Sequence, residues 1–437
     1  MESIWTRTAE LRQFPPLEGD FGTDVLIVGG GIAGLLCAHC LQRAGVGYVL
    51  LEAKTLCSGV TGNTTAKLTA QHGLIYDKLI RTFGVGAARL YLEANRAALE
   101  RYRALCRDID CDFVEQDSYV YSLDRRDKLE REAKALNRLG FPAEYVPDTP
   151  LPFRTAGAVR FPRQAQFHPL KFLSAIAKDL NIHEHTKVLE LKPGGAKTHS
   201  GTVRAKHIII ATHFPILNKH GGYFLKLYQN RSYVLALENA PKLAGMYVDE
   251  SGRGLSFRRY GDLLLLGGGG HRTGKQGGGW AELSAFAQKT WPGAREVCRW
   301  AAQDCMSLDG VPYIGQYSAR TPGLYAVTGF NKWGMTSAMA AATVLCDLVQ
   351  GRDSPYAALF SPSRSVLRPQ LAANAAGAAA SLLTPTAPRC PHMGCALKYN
   401  PQEHSWDCPC HGSRFGTDGQ LLDNPSTSDL KLKNRPG

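Results

Sequence analysis

The sequence predicts an α/β protein of two or three domains with a separate cysteine- and histidine-bearing module at its C-terminal end. Two observations carry this expectation. Between Asp24 and Glu52 a β-branched run, a glycine turn, an apolar helical pattern and a second apolar run end on an acid. Between Cys390 and His411, cysteines and histidines gather into two short loops. A length of 437 residues exceeds one ordinary core and leaves room for both units to fold without disulfide scaffolding.

Composition places the chain among ordinary globular proteins, with 44% hydrophobic and 20% charged residues, and its 45 glycines suggest close backbone approaches of the kind nucleotide sites need. The formal charge of +13 is spread among acids instead of forming a basic stripe with interleaved aromatics, which argues against nucleic acid and allows an anionic small substrate or an acidic redox partner. Residues 1–22 lack the apolar core of a secretory signal, and no run reaches the ~20 apolar residues of a membrane span. A cytoplasmic protein without a transmembrane segment is therefore expected. Of twelve cysteines, four lie between Cys390 and Cys410, and the other eight, including the helical pair Cys37 and Cys40, read as buried small hydrophobes.

Asp24 to Val28 reads as a strand, Gly29 to Gly34 as the turn, and Leu35, Ala38, Leu41 and Ala44 as one helix face. Gly29 permits the turn, Gly31 lets the backbone approach a pyrophosphate at a helix N-terminus, and Gly34 lets helix pack on strand. A second strand, Tyr48 to Leu51, delivers Glu52, whose carboxylate suits an adenosine ribose. Together these define a Rossmann-like dinucleotide site.

Three further segments favour FAD over NAD. The Gly/Thr loop Gly59 to Lys67, with Thr61, Thr64 and Thr65, could run along the pyrophosphate and ribityl chain. Lys206 to Thr212 resembles the flavoprotein strand ending in Ala-Thr-Gly, with His213 in the final place. Leu324 to Gly329 leads through Gly334, Met335 and Thr336 into an alanine-rich helix, whose N-terminus could stabilise negative charge on a reduced flavin ring. Gly267 to Gly274 lacks the spacing of a second glycine fingerprint, so electrons are expected from a substrate oxidised on the flavin.

The order of these pieces resembles the D-amino-acid oxidase superfamily of FAD enzymes over most of residues 22–350. That resemblance implies a Rossmann-like FAD-binding domain with an interleaved α+β substrate domain, and backbone contact with the adenine side at Val188. The FAD-dependent oxidoreductase region is then 22–358, with FAD-binding parts at about 22–80, 155–215 and 302–350 and the substrate domain at about 81–154 and 216–301. Residues 359–385, rich in Ala and Pro without alternation, are expected to form a linker or a weak helix.

Each C-terminal loop, Cys390 to Cys395 and Cys408 to Ser413, offers a thiolate and an imidazole. This suits a 2Fe-2S cluster with two cysteines on one iron and two histidines on the other; a Cys2His2 zinc site is the rival, although zinc fingers group like ligands together. The two loops resemble Rieske motifs residue by residue. The resemblance implies Cys390, His392, Cys408 and His411 as ligands, a Cys395 to Cys410 disulfide, a sulfide-facing Ser413 and a shielding Pro425 loop. Phe415 stands where high-potential Rieske proteins carry a tyrosine, which implies a potential below the top of the range. The resemblance makes residues 386–437 a minimal, β-rich Rieske 2Fe-2S domain, trimmed of the strands that ordinarily precede the first loop. The whole arrangement resembles the bacterial FAD-dependent oxidoreductases with a C-terminal Rieske domain.

Lys67 and His72 near the expected ring position, and Arg231 and Arg258 as clamps for a substrate carboxylate, are the candidate catalytic residues. The expected reaction is oxidation of a small amine or amino-acid-like substrate by hydride transfer to flavin, a dehydrogenase passing electrons through the cluster to an external acceptor. The alternative is an electron-transfer or redox-sensing module with no organic substrate.

Overall fold

In the computed structural model, residues 2–217, 220–251, 254–385 and 388–431 are described. The β-branched run forms the strand Phe21–Val28 at the centre of a parallel array, flanked by Thr202–Ile210 on one side and Tyr48–Leu51 on the other. Leu324–Thr328 extends the array in parallel, and Tyr313–Gln316 closes that edge antiparallel. Val25, Leu26, Ile27, Ile209 and Ile210 are all buried, as strands covered on both faces require. The helices Ile32–Arg43 and Gly334–Val349 pack against one another over this sheet, their small residues allowing close approach.

A second sheet of nine strands holds the interleaved part. It runs from Arg295–Ser307 through Leu227–Glu238, Leu263–Arg272, Ser256–Tyr260 and Met246–Asp249 to Val114–Tyr121, Ala158–Gln166 and Lys67–Leu68. Three strands lie across the expected partition. Ala158–Gln166 and Lys67–Leu68 fall within segments assigned to FAD binding but pair into this sheet, and Arg295–Ser307 crosses the boundary at 301/302. The sequence pattern of a strand fixes its burial and not its partner, so the exchange between sheets is invisible until the pairing is known.

Residues 359–385 are largely helical, with Ala357–Phe360 followed by Pro369–Leu383. Proline at the first turn and ten alanine or leucine positions explain the second helix, which buries only Asn374 and Ser381. The C-terminal module is a four-stranded antiparallel sheet, Lys398–Asn400, Ser405–Asp407, Arg414–Gly416 and Leu421–Asp423. All four strands follow the first cysteine loop, so the module leans on the larger body for cover. Among the described residues, no helix is long and apolar enough to cross a membrane.

Candidate functional site

Where the two large sheets and the C-terminal module meet lies a cavity of about 1670 Å³. Its walls include Gly29, Gly31, Glu52, Thr61, Thr64 and Thr65 from the first nucleotide segments, Val188 from the middle of the chain, and Gly329, Gly334 and Met335 from the late loop. Residues separated by some three hundred positions are thus brought to one surface. Gly34 and Thr336, also expected to bind cofactor, are not on the wall. A Cβ at Gly34 would stand 1.9 Å from the carbonyl oxygen of Gly29, so this glycine lets the helix close on the turn. Thr336 donates to the Thr69 carbonyl at 3.0 Å.

The donor groups of the turn are prepared for an anion. Gly31 is the N-cap of Ile32–Arg43 with no side-chain cap of its own, and Thr61 accepts the Ile32 N–H at 3.1 Å. Glu52 is held by the N–H groups of Gly30 (2.7 Å) and Lys54 (2.8 Å), which fixes its carboxylate at the cavity edge. A dinucleotide fits this cradle: backbone donors at a helix N-terminus, a positioned acid, and a groove kept open by glycines. Gly34→Ala is expected to destabilise the fold by about 3 kcal/mol through overpacking against backbone and to abolish flavin retention. Thermal unfolding and the flavin-to-protein absorbance ratio check this.

Lys67 and His72 both line the cavity. Lys67 is buried, and burial followed by the neighbouring Arg258 charge pushes its pKa down to about 7. His72 is likewise pushed down to about 3 by burial, which keeps it neutral. Its Nε2 lies 2.9 Å from the Thr69 carbonyl, so Nδ1 accepts from the Tyr91 hydroxyl at 2.7 Å. The ring stacks on Trp333 at 5.1 Å. His72 is therefore a brace for the start of the late helix.

Of the two arginines expected as substrate clamps, Arg231 lines the cavity and Arg258 does not, and both are held in structural contacts. Arg258 is 1% exposed and off the cavity wall; it donates to the carbonyls of Thr65, Ala66 and Phe167 and to Gln166, and lies over Trp5. It anchors the Gly/Thr loop. Arg231 is spent on Glu403 of the C-terminal module, with both side chains 5% exposed, and Glu403 is shared with Arg414 at 2.8 Å. Arg414 also meets Asp407 at 3.0 Å and Asp423 at 2.9 Å. Long-range partners of this kind carry no local sequence signal.

In the C-terminal module, the Cys390 and Cys408 thiols are buried beside one another. The neighbouring Cys408 thiol pulls Cys390 below the ordinary thiol value against the effect of burial, and the His392 N–H and Ser413 hydroxyl add to it. The His392 and His411 rings face edge to plane at 5.0 Å. His411 Nδ1 is buried and makes no hydrogen bond, and burial keeps the ring neutral, as a metal ligand requires. The two thiols form one pair and the two imidazoles another, a donor set that fits a cluster with mixed ligation. Cys395 and Cys410 form a disulfide, which removes two sulfurs of the compact trio Cys395, Cys408 and Cys410 from metal binding. Phe415 is fully buried among these cysteines. Of the remaining eight cysteines, Cys40 and Cys106 are half-buried and the others buried.

The module docks directly on the cavity wall, a feature the sequence did not signal. Gln229 and Gln303 donate to the carbonyls of His411 (3.0 Å) and Gly412 (2.8 Å), and Arg272 to that of Cys410 (3.1 Å). Asn424 reaches back to the carbonyls of Thr212 (2.8 Å) and Phe214 (2.7 Å). The missing sheet of the trimmed module is replaced by these contacts.

Fold and site together define a flavin-dependent oxidoreductase carrying its own iron-sulfur module. The family model described as FAD dependent oxidoreductase matches residues 24–348, and that of the Rieske [2Fe-2S] domain matches residues 383–434. The chain is 34% identical to YhfW of Bacillus subtilis, named for a Rieske 2Fe-2S iron-sulfur centre, over 98% of this chain and 97% of that one. It is 26% identical to gamma-glutamylputrescine oxidoreductase of Escherichia coli over 77% of this chain and 86% of that one. Glycine oxidase from Geobacillus kaustophilus shares the fold, with a TM-score of 0.66 at 22% identity, covering 79% of this chain and all of that one. The chain belongs to the FAD dependent oxidoreductase family and ends in a Rieske domain, and its cofactors are FAD and a 2Fe-2S cluster.

Proposed function

We propose that this protein is a dehydrogenase for a small amine or amino-acid-like substrate, which passes the electrons through its Rieske cluster to an external acceptor. FAD when bound accepts a hydride from the substrate, and the cluster moves electrons singly. The observation that carries this reading is the docking of the His411 loop on Gln229 and Gln303, two residues of the strands that wall the flavin cavity. A built electron exit at that place favours an acceptor other than oxygen. The kinship with gamma-glutamylputrescine oxidoreductase supports an amine or amino-acid-like substrate.

In this reading Cys390, His392, Cys408 and His411 hold the cluster. The cavity residues Gly29, Gly31, Glu52, Thr61, Thr64, Thr65, Val188, Gly329, Gly334 and Met335 hold FAD, with Gly34 and Thr336 shaping their supports. Lys67 takes a proton from the substrate ammonium, the neutral amine being the active form. Its lowered pKa sets the sign: kcat/KM rises with pH through about 7. Lys67→Met is expected to flatten that rise and to lower kcat/KM about a hundredfold, as a steady-state pH profile will show. A cytoplasmic setting belongs to the same reading, supported by ten cysteines that remain outside the disulfide.

The test is anaerobic mixing with a panel of amines, amino acids and hydroxy acids. Bleaching of the flavin followed by appearance of the reduced-cluster EPR signal is the expected result. Bleaching by no member of the panel, with ready reduction by a redox protein, favours a relay without an organic substrate. The commitment of both Arg231 and Arg258 to structural contacts is the observation on that side.

A further inference from the structure

The cavity that accommodates FAD is not made by the oxidoreductase region alone. Asp423, Asn424, Ser426, Thr427, Ser428 and Asp429, all of the Rieske domain, line it together with Glu52, Lys54, Lys187 and Val188. Two hydrogen-bonded ties hold this segment on the flavin side. Asn424 bonds the carbonyls on either side of His213, at Thr212 and Phe214, and Lys187 donates to the Thr427 carbonyl at 3.0 Å. His213 sits between them with a left-handed φ of 62°, and its Nε2 is buried at the cavity wall.

The same segment is tied to the cluster loops at its other side. Ser426 N–H donates to the Ser413 hydroxyl at 3.0 Å, and Gln229 bonds the carbonyls of both Asn424 and His411. A smaller pocket beyond the segment is lined by Pro391, His392 and Pro425 through Ser428. One short stretch of chain therefore forms a wall common to the dinucleotide cavity and the cluster edge.

We propose that residues 423–429 of the Rieske domain are part of the FAD-binding site and close over the adenosine half of the cofactor. The position of Lys187, Val188 and Glu52 beside the segment specifies that half, because Glu52 is placed for the ribose and Val188 for the adenine side. The hydroxyls of Thr427 and Ser428 supply hydrogen-bonding partners suited to a ribose or a pyrophosphate. Thermodynamic linkage follows: a segment ordered by the cluster loops favours FAD binding, and bound FAD favours the docked Rieske domain to the same degree. The inference rests on the FAD site and is independent of the substrate, so its failure leaves the dehydrogenase reading standing.

Hydrogen exchange on the full-length, cluster-loaded protein with and without FAD tests the contact. Slowed exchange is expected at 423–429 together with 29–34. Protection of 29–34 with unchanged exchange at 423–429 overturns it. The role of the Asn424 tie is read from FAD release, followed by recovery of free-flavin fluorescence on dilution. Asn424→Ala is expected to release FAD roughly tenfold faster while the cluster EPR signal persists. Release at the wild-type rate overturns the part assigned to that side chain.

Discussion

Replacing Arg231 with methionine is expected to undock the Rieske domain and to cost about 3 to 5 kcal/mol, the effect of breaking a buried ion pair. The reason lies in the charge balance of the interface. Arg231 and Arg414 face Glu403, Asp407 and Asp423, so removal of Arg231 leaves three carboxylates sharing one guanidinium. Glu403→Gln leaves two of each sign and is expected to cost less, although Tyr233 also donates to Glu403 at 3.0 Å. Unfolding followed by flavin fluorescence and by cluster absorbance should show one transition in the wild type and two in Arg231→Met. The pair also sets a pH limit. Burial alone raises the Glu403 carboxyl, but Arg231 and Arg414 together hold it below its ordinary value. A lowered folded value means that the stabilisation is fully present above the ordinary carboxylate range and is lost as the pH falls through the folded one. Undocking of the wild-type domain is therefore expected on acidification.

Cys408→Ser is expected to abolish the cluster while leaving the flavin site loaded. Cys408 is 1% exposed and lies beside Cys390, so its loss removes a central ligand and not a peripheral one. Iron should fall from about two atoms per chain to near zero. Turnover with a one-electron acceptor should fall by more than about a hundredfold, since even outer partners of metal ligands commonly cost 10- to 100-fold. Anaerobic bleaching of the flavin by substrate should persist. Iron analysis, EPR and stopped-flow absorbance separate these outcomes.

The parts of this architecture written locally in the sequence were readable there. Strand, glycine turn, helix and acid between Asp24 and Glu52 form one supersecondary unit whose chemistry depends on neighbours in the chain. The paired cysteine and histidine loops are equally local, and the disulfide between Cys395 and Cys410 lies where the resemblance implied it. What could not be read depends on contacts across the fold. Arg231 and Arg258 are charged residues on strands next to a cavity, and nothing in the sequence distinguishes a substrate clamp from an ion pair with Glu403 or a set of bonds to loop carbonyls. Gln229, Gln303 and Asn424 are neutral polar residues without a motif, yet they carry the junction between the two cofactor sites. The exchange of Lys67–Leu68 and Ala158–Gln166 into the second sheet has the same origin, because pairing partners are set by topology.

In the proposed function the flavin and cluster sites form one electron-transfer unit within a single chain. Laser photoreduction of the flavin under anaerobic conditions, with cluster reduction followed by absorbance and freeze-quench EPR, tests this most directly. The expected result is first-order cluster reduction at a rate independent of protein concentration and slowed in Arg231→Met. A rate proportional to protein concentration, or a cluster left oxidised beside a reduced flavin, would contradict it.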